Sequence, residues 1–368
     1  MARKILVLAN SGMGLYRFRK ELLQKLIAEN YEVHISLPED EYTPRLIELG
    51  CKFIHTRIDR RGTNPFRDGG LLRFYIRTIR GLKPDAVLTY TVKPNIYGGI
   101  ACRITNTPYL ANITGLGTAL ENKGFLQEIL LKLYKAGLKN ASCVFFQNEP
   151  NRQYFLNKGI VRSKTRLLPG SGVNLQEHGC EAYPPDGLTH FLFIGRIMKA
   201  KGIGELLEAA KRVKRQHPDV RFHLVGGMEE NFGRKLADYE NYGIIKYHGE
   251  QKDVRSYIKN AHAVILPSYH EGTSNVLLEA AASCRPVLAS RVTGCRETFD
   301  EGISGLGFEA KNVNSLMDAI NRFIELPYAE KEYMGLAGRA KMVKEYDRGH
   351  VIQAYMEEIS GLGGPKGK

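Results

Sequence analysis

The 368-residue chain has no run approaching the roughly 18 consecutive apolar residues needed to cross a bilayer. Its six cysteines, at 51, 102, 143, 180, 284 and 295, include no Cys-x-x-Cys pair. That favours reduced thiols over a disulfide framework or a zinc site, and points to a cytoplasmic protein. Ten histidines show no His-x3-His spacing, so no metal site is expected, and His34 and His248, at strand positions, read as structural. The first ten residues begin basic, but the apolar core that follows spans only about five residues, which suits a first strand and not a signal peptide. What remains is an ordinary globular composition, 43% hydrophobic and 25% charged, long enough for two domains with their own cores.

What the chain has in excess is positive charge, and it is unevenly placed. Residues 1–170 hold 27 Lys and Arg against 13 Asp and Glu; residues 171–368 hold 26 of each. All of the +14 therefore lies in the first half. Such a field favours an anionic partner: a membrane surface, a polyphosphate or a nucleic acid.

Short apolar, β-rich runs alternate with helical patterns. Strands are expected at 5–9, 33–37, 53–56, 86–90, 109–113, 143–146, 166–168, 191–195, 221–225, 245–248, 263–267, 286–289 and 306–308, with helices such as 17–29, 69–82, 124–139, 204–216 and 275–282 between them. This is an α/β pattern of parallel sheets covered by helices. Thirteen strands are too many for one such sheet, so two doubly wound, Rossmann-like domains are expected, facing across a cleft. The first would be 1–170. A linker would run over 171–187, where Gly170-Ser171-Gly172 and Pro184-Pro185 break any periodicity. The second would be 188–345, with a last helix at 346–360 crossing back to the first domain. A ligand would sit outside the carboxyl ends of the strands.

One stretch, Pro267-Ser268-Tyr269-His270-Glu271-Gly272-Thr273-Ser274-Asn275-Val276-Leu277-Leu278-Glu279, joins a strand to a helix expected to start near Thr273. Glu271 and Glu279 flank a helix N-terminus, whose amides and dipole suit a phosphate. The arrangement looks like a clamp for a nucleotide sugar, with acids for hydroxyls and amides for diphosphate. Gly195-Arg196-Ile197-Met198-Lys199-Ala200-Lys201-Gly202 follows the first strand of the same domain, where Arg196 and Lys201 could neutralise a diphosphate leaving group. After the first strand of the chain, Gly12-Met13-Gly14 lacks the third glycine of a dinucleotide fingerprint, so hydride transfer is poorly supported. Gly115-Leu116-Gly117 follows another strand of that domain.

These motifs, with Val292-Thr293-Gly294-Cys295 and Glu297, resemble the donor domain of retaining glycosyltransferase family 4, whose two-Rossmann architecture is called GT-B. The resemblance runs from about residue 3 to residue 358. It implies that Arg196 and Lys201 hold the donor diphosphate, that Glu279 accepts from the ribose hydroxyls, and that Glu271 contacts the donor sugar. The amides of Gly272, Thr273, Ser274, Asn275 and Val276 would cradle the phosphates, with Gly195 and Gly14 allowing close approach. Thr114 stands where many members carry a histidine, so no imidazole base is implied there; the leaving phosphate oxygen would take the acceptor proton. No Asp-x-Asp occurs, so no metal or other cofactor is implied.

Shorter matches in the first half are Asp40-Glu41-Tyr42-Thr43, Asn64-Pro65-Phe66, Gly115-Leu116-Gly117, Gln147-Asn148-Glu149 and Ser171-Gly172-Val173-Asn174-Leu175. They are similar to a branch of bacterial general protein glycosylation that adds N-acetylgalactosamine, α-1,3-linked, to an undecaprenyl-diphosphate-linked amino sugar. The expected partners are a UDP-sugar donor and a polyprenyl-diphosphate-linked saccharide, with Lys93, Thr114, Gly115 and Gly117 toward the acceptor. Cationic apolar segments at 16–26, 71–80 and 125–135 would rest on an anionic membrane, placing the protein peripherally on the inner face of the cytoplasmic membrane. A nucleotide-sugar epimerase and a nucleic-acid binder are the alternatives; no nucleic-acid recognition motif supports the second.

Overall fold

The computed structural model describes residues 2–58, 65–115 and 125–362. Two compact units divide the chain: 1–171 with 349–368, and 172–348.

The first unit is built on β1 (Lys4–Leu8), β2 (Glu32–Leu37), β3 (Lys52–His55), β4 (Ala86–Tyr90), β5 (Tyr109–Ile113), β6 (Cys143–Phe146) and β7 (Thr165–Leu167). They form one parallel sheet in the order β3-β2-β1-β4-β5-β6-β7. The second unit holds β8 (Thr189–Ile194), β9 (Val220–Val225), β10 (Ile245–Tyr247), β11 (Ala263–Leu266), β12 (Val287–Ser290) and β13 (Gly305–Phe308), parallel in the order β10-β9-β8-β11-β12-β13. The central strands are apolar throughout because helices cover both faces; every residue of β4, β5, β11 and β12 is buried. In each sheet the strand order reverses once, between β1 and β4 and between β8 and β11. Crossovers on opposite faces leave a crevice there, outside the carboxyl ends.

Several expectations change. The first helix is Gly12–Ala28, so Gly14 lies in its first turn and not in a strand-to-helix loop. Ser11 caps it, accepting from the Gly14 amide at 3.3 Å. The segment 172–187, expected as a linker, belongs to the second unit. There the fully buried Arg285 donates to the carbonyls of Glu181 and Ala182, and also to those of Ile258, Lys259, Ser283 and Cys284. The Tyr183 hydroxyl donates to the His262 carbonyl at 2.8 Å. Cys180 and Cys284 form a disulfide, against the expectation of six reduced thiols. Their Cα atoms lie 5.1 Å apart because Arg285 holds 181–182 beside 283–284. The last helix breaks at Asp347, and Arg348–Gly361 packs Val351, Ala354, Tyr355 and Ile359 into the core of the first unit. The tail 363–368 lies outside the described residues.

A histidine ladder crosses one face of the second sheet. His190 Nδ1 lies 3.0 Å from His223 Nε2, and His223 Nδ1 lies 3.0 Å from His248 Nε2, with the rings stacked. His262 accepts from the His190 amide at Nδ1, so its Nε2 carries the proton and donates to the Pro185 carbonyl. Burial is the main cause that lowers the pKa of all four, that of His223 to about 4. His178 is likewise held at about 4. The unfolded chain binds these protons near the ordinary value of about 6.5. Stability should therefore be level above about pH 7 and fall as pH drops from about 6.5 toward 4, where the unfolded state holds more protons. Denaturant midpoints measured across that range check this, and His223→Asn should flatten the slope.

Candidate active site

The crevice between β8 and β11 gathers most of the expected donor residues. The loop after β8 ends at Gly202, whose φ is +70° and whose Cα abuts the Pro267 carbonyl; a Cβ there would lie 2.1 Å from that oxygen. The loop after β11 is tied to the same segment, since the Tyr269 amide donates to the Ala200 carbonyl at 2.9 Å. Lys201 and Glu271 thereby meet. Lys201 Nζ donates to Glu271 Oε1, and the Ser268 hydroxyl donates to the same oxygen at 2.8 Å. Both charged side chains are largely buried, 20% and 15% exposed, so the pair is screened little. The Ser290 hydroxyl donates to the Ser268 carbonyl and fixes the base of the loop.

The helix beyond is Asn275–Ala282, the bounds expected for it, although the stretch before it had suggested a start nearer Thr273, and Ser274 is its cap. The Ser274 amide donates to the Gly294 carbonyl at 2.8 Å, so it is engaged and cannot cradle a phosphate as it stands. Gly294, at φ +83°, sits against the carbonyls of Glu271 and Gly272. The Gly294 amide donates to Glu297 Oε2 at 2.7 Å. The first-turn amides of Asn275 and Val276 are left for an anion. Asn275 Oδ1 is buried with no hydrogen-bond partner. Glu279 lies half-buried one turn further along the helix. Arg196 is exposed, with its guanidinium 3.8 Å from Glu229 Oε1, and Gly195 follows β8 directly. The Cys295 thiol is buried near this cluster and pushed up, first by burial and then by the Glu271 charge.

In the first unit two of the expected residues, Gly14 and Lys93, already have partners. The amides of Gly12 and Met13 donate to the Asp40 carboxylate at 2.7 and 3.1 Å, and that of Gly14 to Ser11. A protein carboxylate thus occupies the helix N-terminus around Gly14, where close approach of the donor was expected. Lys93 starts a helical segment and is not in a loop. It pairs with Asp68 at 2.6 Å, and Tyr97 donates to the other carboxylate oxygen at 2.9 Å. Thr114 is exposed just beyond β5, Gly115 is half-buried beside it, and Gly117 lies outside the described residues. Sequence reasoning missed Asp40 and Asp68 as partners, and Ser268 and Gly294 as supports for Glu271.

A cavity of about 650 Å³ also opens in the second unit, lined by Pro184, Pro185, Leu188, Tyr257 and the histidine ladder. None of the expected donor residues lines it, and the two-loop arrangement around Glu271 is the better candidate for chemistry.

The family model of glycosyl transferases group 1 matches residues 183–341, and that of glycosyl transferase 4-like proteins matches residues 4–148. An uncharacterized glycosyltransferase of Methanocaldococcus jannaschii is 31% identical over 68% of this chain and 73% of its own length. The chain belongs to the glycosyltransferases. This transferase is also 28% identical, over 95% of its chain and 96% of the relative, to N,N'-diacetylbacillosaminyl-diphospho-undecaprenol alpha-1,3-N-acetylgalactosaminyltransferase of Campylobacter jejuni. An Anabaena protein solved in complex with UDP-glucose superposes with a TM-score of 0.80 at 18% identity, covering 97% of this chain and 99% of that one. The transferase has the GT-B fold.

The Lys201–Glu271 pair separates support from chemistry. Lys201→Met leaves a largely buried carboxylate without its cation and should destabilise the protein by about 1–3 kcal/mol. Adding Glu271→Gln should recover part of that loss. Chemical denaturation of the two single variants and the double variant measures the coupling.

Proposed function

We propose that this transferase moves a sugar, N-acetylgalactosamine or another N-acetylhexosamine or hexose, from a UDP-sugar to a polyprenyl-diphosphate-linked saccharide with retention of configuration. The observation that carries the reading is the cluster of Lys201, Glu271 and Ser268 ahead of a helix N-terminus at the strand-order reversal. The activity named for the Campylobacter relative supports the acceptor, and the UDP-glucose bound to the Anabaena protein supports the donor.

In this reading the Asn275 and Val276 amides and Lys201 hold the diphosphate, and Glu279 accepts from the ribose hydroxyls. Glu271 takes a donor-sugar hydroxyl while keeping its bond to Ser268. Arg196, exposed and only loosely paired, swings to the diphosphate as negative charge grows on the leaving oxygen. The departing phosphate oxygen accepts the acceptor's proton on the same face of the sugar, so no protein base is required. Transfer proceeds without a metal. A panel of UDP-sugars with a polyprenyl-diphosphate-linked monosaccharide, with and without EDTA, tests donor, acceptor and metal together. Product without acceptor would favour an epimerase.

Two variants should fail differently. Glu279→Ala should raise donor KM and Arg196→Ala should lower kcat, each by about 10- to 150-fold, the kinetic equivalent of about 1.5–3 kcal/mol for a charged hydrogen bond. Near-native kinetics in both would place the site elsewhere.

The same reading sets the first unit on an anionic membrane. Arg73, Arg77 and Arg80 are exposed on Pro65–Leu82, opposite the buried Leu71, Tyr75 and Ile79. Lys132, Lys135 and Lys139 are exposed along and just beyond Phe125–Leu138. Arg103 and Ile104, also exposed, lie on the Gly99–Thr105 helix. In the remaining expected segment, 16–26, Arg17 and Lys25 are exposed as well, while Arg19 is buried over the Tyr90 ring, 5.2 Å from its centroid. Binding to anionic vesicles should weaken with salt as screening shortens to about 8 Å. Charge reversal at Arg73, Arg77 and Arg80 should slow turnover on membranes and spare a short-chain soluble acceptor.

A further inference from the structure

The helix Tyr328–Lys341 carries an apolar stripe that nothing among the described residues covers. Its inner face packs Met334, Gly335 and Gly338 onto the second unit. Gly335 comes so close to the Cys284 carbonyl that a Cβ would lie 2.2 Å from that oxygen. On the outer face Ala329, Tyr333, Leu336, Ala340 and Val343 are all exposed. Tyr333 is 67% exposed, Leu336 50% and Val343 49%. These five positions step by four, three, four and three residues. That is the seam of a two-helix coiled coil, continued by Val343 in the turn Met342–Tyr346.

The stripe is self-complementary in reverse. Leu336 is its midpoint. Running a second copy antiparallel sets Leu336 against Leu336, the large Tyr333 against the small Ala340, and Val343 against the small Ala329. The flanks agree in charge. Glu330 and Glu332 border the N-terminal half, exposed, and Lys344 borders the C-terminal end, also exposed. Antiparallel pairing brings Glu330 to the partner's Lys344. It brings Glu332 to the flank of the partner's Arg339, whose guanidinium is held by the carbonyls of Leu175, His178 and Ala282 and so contributes charge only. A parallel pair would instead set like charges together.

We propose that two copies of this chain associate through this helix as an antiparallel, two-fold dimer. Such an interface is isologous and closes on itself. Two heptads bury less than a standard interface of about 800 Å² per partner, so the dimer is weak and reversible, with a dissociation constant in the micromolar range.

Sedimentation velocity of the full chain over about 1–200 μM should show concentration-dependent dimer. Leu336→Lys, which sets two cations on the two-fold axis, should abolish it without changing the monomer's circular dichroism or thermal midpoint. Glu330→Lys or Lys344→Glu alone should weaken association several-fold, and the two together should restore it. Under mild oxidation Leu336→Cys should form a covalent dimer, while Tyr242→Cys, at a still more open position, should not. A chain that stays monomeric throughout, or a dimer indifferent to Leu336→Lys, overturns the proposal. So does a monomeric chain whose binding to phosphatidylglycerol vesicles is lost on Leu336→Lys, which would assign the stripe to a membrane.

Discussion

The contact between the Gly202 backbone and the Pro267 carbonyl sets the rest of the candidate site. It exists because the strand order reverses between β8 and β11, which places the two following loops side by side, and because residue 202 has no Cβ. Once the loops touch, Lys201 and Glu271 cannot avoid each other, and each offsets the desolvation of the other. The result is a pair of opposite charges beside a helix N-terminus, held in place by the contact between the two loops. A substrate would exchange partners with it and would meet little rearrangement of the backbone.

How much of this could be read from residues alone varied with the range of the interaction. The strands were legible because strands buried on both faces read as unbroken apolar runs, and each observed strand lies within two residues of its expected ends. The nearness of Lys201 and Glu271 was legible because each loop follows a strand of the same sheet with recognisable local spacing. The start of the first helix was not. Gly12-Met13-Gly14 looks like a turn, and the group that stabilises it as helix, Asp40, lies 28 residues away. Lys93 was read as a loop residue because Pro94 follows, yet proline is well tolerated at a first helical position. The disulfide spans 104 residues and leaves no local signal at all.

The first unit's charge also divides into two kinds. Some cations are structural: Arg19 lies over Tyr90, and Lys93 is matched by Asp68. Others, among them Arg73, Arg77, Arg80, Lys132 and Lys135, stand on the outer side of helices whose inner side fills the core. Part of the net excess visible in composition is therefore carried on the outer faces of helices, and the effects of that part should depend on orientation as well as on salt.

The last helix has a consequence for the order in which the protein is made. Tyr355 packs on Phe145, with ring centroids 4.4 Å apart, and its hydroxyl accepts from the Asn112 side-chain amide at 2.6 Å. Val351 and Ile359 fill the same core. The ribosome delivers these residues after the whole of the second unit. That unit, contiguous in the chain, can close while the nascent chain is still attached, whereas the first must wait with part of its apolar core open until the helix Arg348–Gly361 emerges. The N-terminal unit is thus the last to be finished, and it is the one a truncated or stalled chain leaves exposed to chaperones and proteases.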